Sequence, residues 1–249
     1  MTNTRAKIQL LRNQMAKANV DVLALAPGTH MQGLLGFMPH PDERPCLLFV
    51  SQTHINFVMP QLNAQDVRQH CDFDFHEWSD TQGPDAALQS ALQQLGSIQT
   101  IAIDDTMRAD HAGLIYGACP DATVQFANSV MGPLRMRKDA SEIELLKMNA
   151  AIADAAHMAL RNNLDTSLTE RQVVNIARDA FDSQGATIAF GIVGCGVNGS
   201  YPHHQSGQTR IAANQPIVVD IGARKDGYVS DITRMTSLGP VSSEYYDVH

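Results

Sequence analysis

Hydrophobic and polar positions change texture about halfway along this chain. From Thr4 to about Val130, short aliphatic runs alternate with segments of helical period. A first amphipathic helix carries Leu10, Leu11 and Met15 on one stripe. Strand-like runs follow at Asp21-Val22-Leu23-Ala24-Leu25, Cys46-Leu47-Leu48-Phe49-Val50 and Ile55-Asn56-Phe57-Val58-Met59. Beyond them the pattern predicts a helix at Asp85 to Leu95, a strand at Thr100 to Ile103, a helix around Ala109 to Gly117 and a strand at Thr123 to Phe126. This alternation predicts an α/β domain. The short interval between the second and third strands predicts a hairpin, hence a mixed sheet.

From Lys138 the pattern becomes that of two long helices. Ile143, Leu146, Ala150, Ala153, His157 and Leu160 recur at steps of three and four, which places His157 on an apolar stripe as a hydrogen-bonded core residue rather than a ligand. Ser167-Leu168-Thr169-Glu170 fits a capping box. Val173, Ile176, Ala177, Ala180 and Phe181 continue that helix until Gly185 ends it. The basic stretch Leu134-Arg135-Met136-Arg137-Lys138 is the expected joint, dividing the chain into 1–133 and 134–249.

The most informative stretch begins with Ile217-Val218-Val219-Asp220-Ile221-Gly222. It turns at Arg224-Lys225-Asp226-Gly227 and continues as Tyr228-Val229-Ser230-Asp231-Ile232-Thr233-Arg234. β-Branched runs flanking Asp-Gly predict a β-hairpin. With Lys225 and Asp226 at the turn centre, Asp220 faces Asp231. With the turn one residue later, Asp220 faces Thr233 and Asp231 is its diagonal neighbour. Either register leaves both carboxylates on one face. Like charges so placed destabilise a ladder unless something compensates them, and a divalent metal does so. On spacing alone, the two residues equally fit strand ends that cap turns or pair with Arg224 and Arg234.

Upstream of the hairpin, Gly194-Cys195-Gly196-Val197-Asn198-Gly199-Ser200-Tyr201-Pro202 predicts a loop that presents His203 and His204. A loop histidine one strand ahead of Asp220 can donate to a substrate carbonyl or a developing oxyanion. His204 reads as a second ligand-like group or a neighbour.

Composition narrows the classes. The chain has 249 residues, 44% hydrophobic and 18% charged, as expected of a globular protein with an ample core. Its net charge of -8, with no Lys/Arg run, excludes an electrostatic nucleic-acid footprint. No apolar run is long enough to span a bilayer, so no membrane partner is expected. The N-terminus lacks a secretory apolar region, which gives a cytoplasmic expectation. Cys46, Cys71, Cys119 and Cys195 are widely spaced and fit reduced structural thiols.

Several elements in succession then resemble one family. They are Arg137-Lys138 with Glu142-Ile143, Thr169-Glu170, Asn198 with Pro202-His203, Val219-Asp220-Ile221-Gly222-Ala223, and Gly227-Tyr228-Val229-Ser230-Asp231-Ile232-Thr233-Arg234. Together they resemble the creatinase, aminopeptidase P and Xaa-Pro dipeptidase family. Leu35-Gly36-Phe37 with Arg44 is similar to that family's N-terminal domain. The resemblance implies an α/β fold: a creatinase-type mixed-sheet domain followed by a pita-bread α+β domain, here incomplete. It implies a hydrolase with two divalent metal ions (Mn, Co, Zn or Fe) acting on a peptide or small-molecule substrate, and a homodimer. Asp220 matches the Asp that binds one ion, Asp231 matches the Asp that bridges both, and His203 matches the histidine acting at the scissile carbonyl.

The family's remaining ligands, a His and two Glu, and its general base, a Glu, lie downstream of the second Asp. His249 lacks a matching strand context, so this chain reads as a truncated, inactive piece of a longer parent. Two other functions fit the same residues: a creatinase-like amidinohydrolase, and a non-catalytic binding protein that keeps half the fold. With only two carboxylates to hold ions, the 249-residue chain supplied with Mn or Co is expected to show no metal-dependent peptide hydrolysis. Turnover above the metal-free background would overturn this.

Overall fold

The computed structural model describes residues 2–249, with side chains from Thr4 onward. Its contacts divide it after Lys138 into two compact units. In the first unit the order is α1 (Thr2–Lys17), β1 (Val22–Leu25), α2 (Thr29–Leu35), β2 (Leu47–Ser51), β3 (Ile55–Pro60) and α3 (Gln61–Val67). There follow β4 (Asp74–Trp78), α4 (Asp85–Leu95), β5 (Thr100–Ile103), α5 (Ala109–Ala118), β6 (Thr123–Phe126) and α6 (Asn128–Met136). The strands form one six-stranded sheet in the order β4-β3-β2-β1-β5-β6. β2 pairs antiparallel with both β1 and β3, whereas β3–β4, β1–β5 and β5–β6 are parallel. The expected hairpin is therefore β2–β3, and the sheet is mixed as the pattern implied.

Alternation along the central strands sends side chains into two cores. Leu23, Leu25, Leu48, Val50, Phe57 and Met59 meet α1, α2, α3 and α6. Val22, Ala24, Leu47, Phe49, Val58, Ile101 and Ile103 meet α4 and α5 on the opposite face. The helices α2 and α3 have seven residues each, too few for a periodic signal. The strand β4 at the sheet edge is mostly exposed along Asp74–Glu77, so it carries polar residues.

The second unit contains α7 (Ala140–Asn163), α8 (Glu170–Asp182), β7 (Thr187–Cys195), a 3-10 turn at Gly196–Ser200, β8 (Ile217–Lys225), β9 (Tyr228–Val229), β10 (Ile232–Thr236) and α9 (Ser243–Val248). The strands order as β10-β8-β7, with β9 paired to β8. Ile217, Val219, Ile221 and Ala223 of β8 pack with Ile152, Ala156, Val173, Ala177 and Phe181 of the two helices. That contact buries one face of the sheet and sets the direction of every alternate residue.

Two local expectations are corrected. The buried stripe of α7 is Asn149, Ile152, Ala153, Ala156 and Leu160, turned from the predicted one so that Ile143 and Ala150 are exposed. A polar Asn enters the stripe because its amide donates to the Leu145 carbonyl one turn back in α7 and to the Lys225 carbonyl at the hairpin tip. The capping box of α8 is Thr169 with Gln172, not Ser167 with Glu170. Thr169 has the extended backbone an N-cap needs, which puts Glu170 on the first helical residue and frees its carboxylate.

The turn of the hairpin is centred on Asp226 and Gly227, both at positive φ, 51° and 82°. Arg224 therefore pairs Val229, and Asp220 pairs Thr233. Within this hairpin Gly222 lies against the Ser230 carbonyl and the Phe190 ring, where a Cβ has no room. Gly222→Ala is expected to destabilise the second unit by about 2 kcal/mol through overpacking. Urea unfolding followed on this unit checks it, and an unchanged midpoint would contradict the close approach.

Candidate active site

Asp220 lies in the middle of β8, half-buried, on the face opposite the hydrophobic core. The Thr233 hydroxyl donates to its Oδ1 at 2.8 Å, closing the cross-strand pair. Asp231 occupies the break between β9 and β10 and is exposed. It stands two residues before Thr233, just outside the paired stretch of β10 that begins at Ile232. The structure thus selects the second of the two registers.

The hairpin is tied to the helices at both ends. The Tyr228 hydroxyl donates to Glu142 Oε1 at 2.7 Å, and Glu142 also closes the capping box of α7 with Asp139. Burial, the hydrogen bond to Glu142 and that carboxylate's charge push the Tyr228 phenol well above its ordinary range. Lys225 Nζ donates to the Gln184 carbonyl at 2.7 Å. On α7, His157 Nε2 lies 3.3 Å from the Ile232 carbonyl, and because a carbonyl only accepts, Nε2 carries the proton. Burial lowers the His157 pKa, while that hydrogen bond and the charges of Asp154 and Asp220 oppose the shift. His157 is hydrogen-bonded as expected, but it is half-buried beside the buried stripe rather than in the core.

After β7 the chain makes the 3-10 turn and presents Tyr201, Pro202 and His203 to solvent. His204 turns inward, with a side chain 16% exposed, and its Nε2 lies 2.8 Å from Glu170 Oε2. Glu170 is fully buried at the start of α8. Its Oε1 accepts from the Cys195 amide at 3.0 Å and from Asn198 Nδ2 at 2.8 Å, and its Oε2 also accepts from the Gly207 amide at 3.2 Å. Burial opposes the charge on Glu170, but the hydrogen bonds from His204, Cys195, Asn198 and Gly207 outweigh it and hold its pKa below the ordinary range. The loop returns along α8, where Glu170 and Arg171 amides donate to the Thr209 and Gly207 carbonyls. Ser206 closes it against β7, its Oγ both accepting from the Val193 amide and donating to the Val193 carbonyl.

His203 lines a cleft of about 510 Å³ with Arg171, Asn175 and Arg178 of α8 and with Phe190 and Ile192 of β7. Neither Asp220 nor Asp231 lines it. Ile192 is the cross-strand partner of Asp220, whereas Arg171, Asn175 and Arg178 belong to α8 on the core face, so the cleft runs along the outer edge of β7. No residue lining the cleft is acidic, and arginines contribute fixed positive charge. Sequence reading named His203, Asp220 and Asp231 as candidates and read Glu170 only as part of a capping box. The signal lay in Gln172, a second candidate box partner three residues after Thr169.

Residues 7–137 match the creatinase/prolidase N-terminal domain family, and residues 144–249 match metallopeptidase family M24. The chain is 28% identical over 245 residues to a probable dipeptidase, PepE, of Mycobacterium tuberculosis, covering 96% of this chain and 64% of that protein. It therefore spans about 64% of the length of the curated dipeptidases it matches. A dipeptidase structure from Pyrococcus horikoshii OT3 is 30% identical with a TM-score of 0.87, covering 97% of this chain and 68% of that one. A prolidase structure from Thermococcus sibiricus is 25% identical with a TM-score of 0.90, covering 100% and 69%.

Because the folded pKa of Glu170 lies below its unfolded value of about 4.3, its contribution is complete above that value. It is lost as pH falls through the folded pKa. The stability difference between the wild type and Glu170→Gln is expected to be constant from neutrality to about pH 5 and to shrink below it. Urea midpoints measured at stepped pH check this, and a difference independent of pH would contradict an ionised Glu170.

Proposed function

The chain belongs to metallopeptidase family M24, behind a creatinase/prolidase-type N-terminal domain, and on that premise we propose that its parent is an Xaa-Pro peptidase of the prolidase or aminopeptidase P type. The observation that supports this reading is the hairpin register, which pairs Asp220 with Thr233, two residues after Asp231, while Asp220 pairs on its other side with Ile192 of the strand that precedes the His203 loop. Family membership implies divalent metal ions, and hard carboxylate oxygens suit them. Among the described residues no group of three or more His, Cys, Asp or Glu could hold an ion. The donor chemistry therefore fits the ions but the donor number does not, and this chain contributes Asp220 and Asp231 toward a dinuclear centre.

When bound, such ions supply Lewis-acid polarisation of a scissile carbonyl. The chain's own residues do the rest of what is assigned here. The hydroxyl of Thr233 holds Oδ1 of Asp220, so the carboxylate keeps one orientation and leaves Oδ2 for a ligand. His203, exposed on an anchored loop, donates a hydrogen bond to the oxygen on which charge develops. The protein is assigned a homodimeric, cytoplasmic form with Mn, Co, Zn or Fe. No helix among the described residues is long and apolar enough to cross a membrane. An Xaa-Pro substrate is favoured over a creatine-like one by the dipeptidase and prolidase relatives.

The natively expressed protein, loaded with Mn or Co, is expected to hydrolyse Xaa-Pro dipeptides and to leave creatine intact. Asp220→Asn and Asp231→Asn are each expected to lower kcat/KM by about a hundredfold or more with loss of bound metal measured by elemental analysis. Creatine turnover without dipeptide turnover would move the assignment to an amidinohydrolase. Full activity and full metal content in both variants would overturn the metal assignment.

A further inference from the structure

Glu170 is a charged side chain with no exposed surface, and its hydrogen bonds all reach one loop. A buried carboxylate is costly unless its lone pairs are satisfied by hydrogen bonds. Here the donors come from both ends of the excursion: Cys195 at the end of β7, Asn198 within the 3-10 turn, and His204 and Gly207 on the return. His203 sits between the outgoing and returning anchors and is itself exposed. Its neighbour His204 is drawn inward by Glu170, so the adjacent side chain is left facing the cleft.

Resting on the role assigned above to His203, we propose that Glu170 is the positioning residue of the active site, holding the 195–207 loop so that His203 stays fixed at the cleft, with His204 and Asn198 as its struts. A carboxylate suits this task because every neighbour is a donor and both its oxygens accept. An amide would replace one acceptor with an NH2 that faces the Gly207 amide and His204. The first residue of α8 suits it too, because a negative charge there interacts favourably with the helix N-terminus. His204 is thereby a strut and not a second ligand. Both histidines line the cleft, but the Nε2 of His204 is held by Glu170, so the direction of His203 is set by a residue it does not touch.

The test uses Glu170→Gln in two settings. In the 249-residue chain, amide exchange at Cys195 and Gly207 should accelerate at least about tenfold, while exchange in the sheet of the first unit is unchanged. In the natively expressed, metal-loaded protein, kcat on an Xaa-Pro dipeptide should fall about 10- to 100-fold with KM within about twofold. In a His203→Ala background the same substitution should cost nothing further, because both changes remove one function. Asn198→Ala, which removes a single strut, should shift exchange and kcat in the same direction but less, and it serves if Glu170→Gln fails to fold. Wild-type kcat in Glu170→Gln, or effects that multiply with His203→Ala, would overturn the proposal. Wild-type kcat in His203→Ala with accelerated loop exchange in Glu170→Gln would show that the role of His203 is wrong and that Glu170 only braces the fold. Unchanged exchange would show that the carboxylate does not hold the loop.

Discussion

The second unit depends on the alternation of β8. Ile217, Val219, Ile221 and Ala223 are buried against α7 and α8. Slipping that strand by one residue would turn four apolar side chains outward and bring Asp220 into the core. The hydrophobic contact therefore fixes the register, and the register fixes the chemistry. With odd-numbered residues committed to the core, Asp220 must face the other side. The Asp226-Gly227 turn then determines which residue of β10 stands opposite it.

A second constraint acts on the other side of β7. The loop after that strand is long and rich in small residues, and nothing in its own composition gives it one shape. Beside the Ser206 bonds to Val193 and the backbone bonds from α8, it is gathered by the side chain of Glu170, a group that belongs to the helix and not to the loop. Hydrophobic packing places α8 and thus places Glu170, and the carboxylate then gathers the loop's donors. Core energy is converted in this way into the position of an exposed histidine. This is the kind of coupling by which a rigid scaffold supports a functional loop.

Charge is arranged differently in the two functional regions. The hairpin carries carboxylates, one half-buried and one exposed, suited to cations. The cleft beside it is lined by arginines and histidines without an acid, in a chain whose net charge is -8. The first unit adds no comparable group of ligands among the described residues; its two apolar cores account for its central strands.

Much of this protein was legible without its fold. Strand and helix periodicity located β1, β2, β3, α4, β5 and α5, because each buries enough apolar surface to leave a pattern, whereas β6 was found from its local composition although it lies largely exposed at the sheet edge. The Asp-Gly turn announced the hairpin. The choice between registers was not legible, since both turns satisfy the local rules; the core contacts of β8 and the positive φ of Asp226 and Gly227 decided it. The stripe on α7 was legible as a helix but not in its rotation, because Asn149 enters the core on hydrogen bonds to carbonyls, one of them distant in sequence. Glu170 was hidden for the same reason. A glutamate next to a cap looks like a capping residue, and only tertiary structure brings Cys195, Asn198, His204 and Gly207 to it. The sequence by itself determined which residues are apolar, which turns are permitted and which groups could do chemistry. The tertiary structure decided which polar groups meet, because a hydrogen bond between residues 25 to 37 positions apart leaves no periodic trace in the chain.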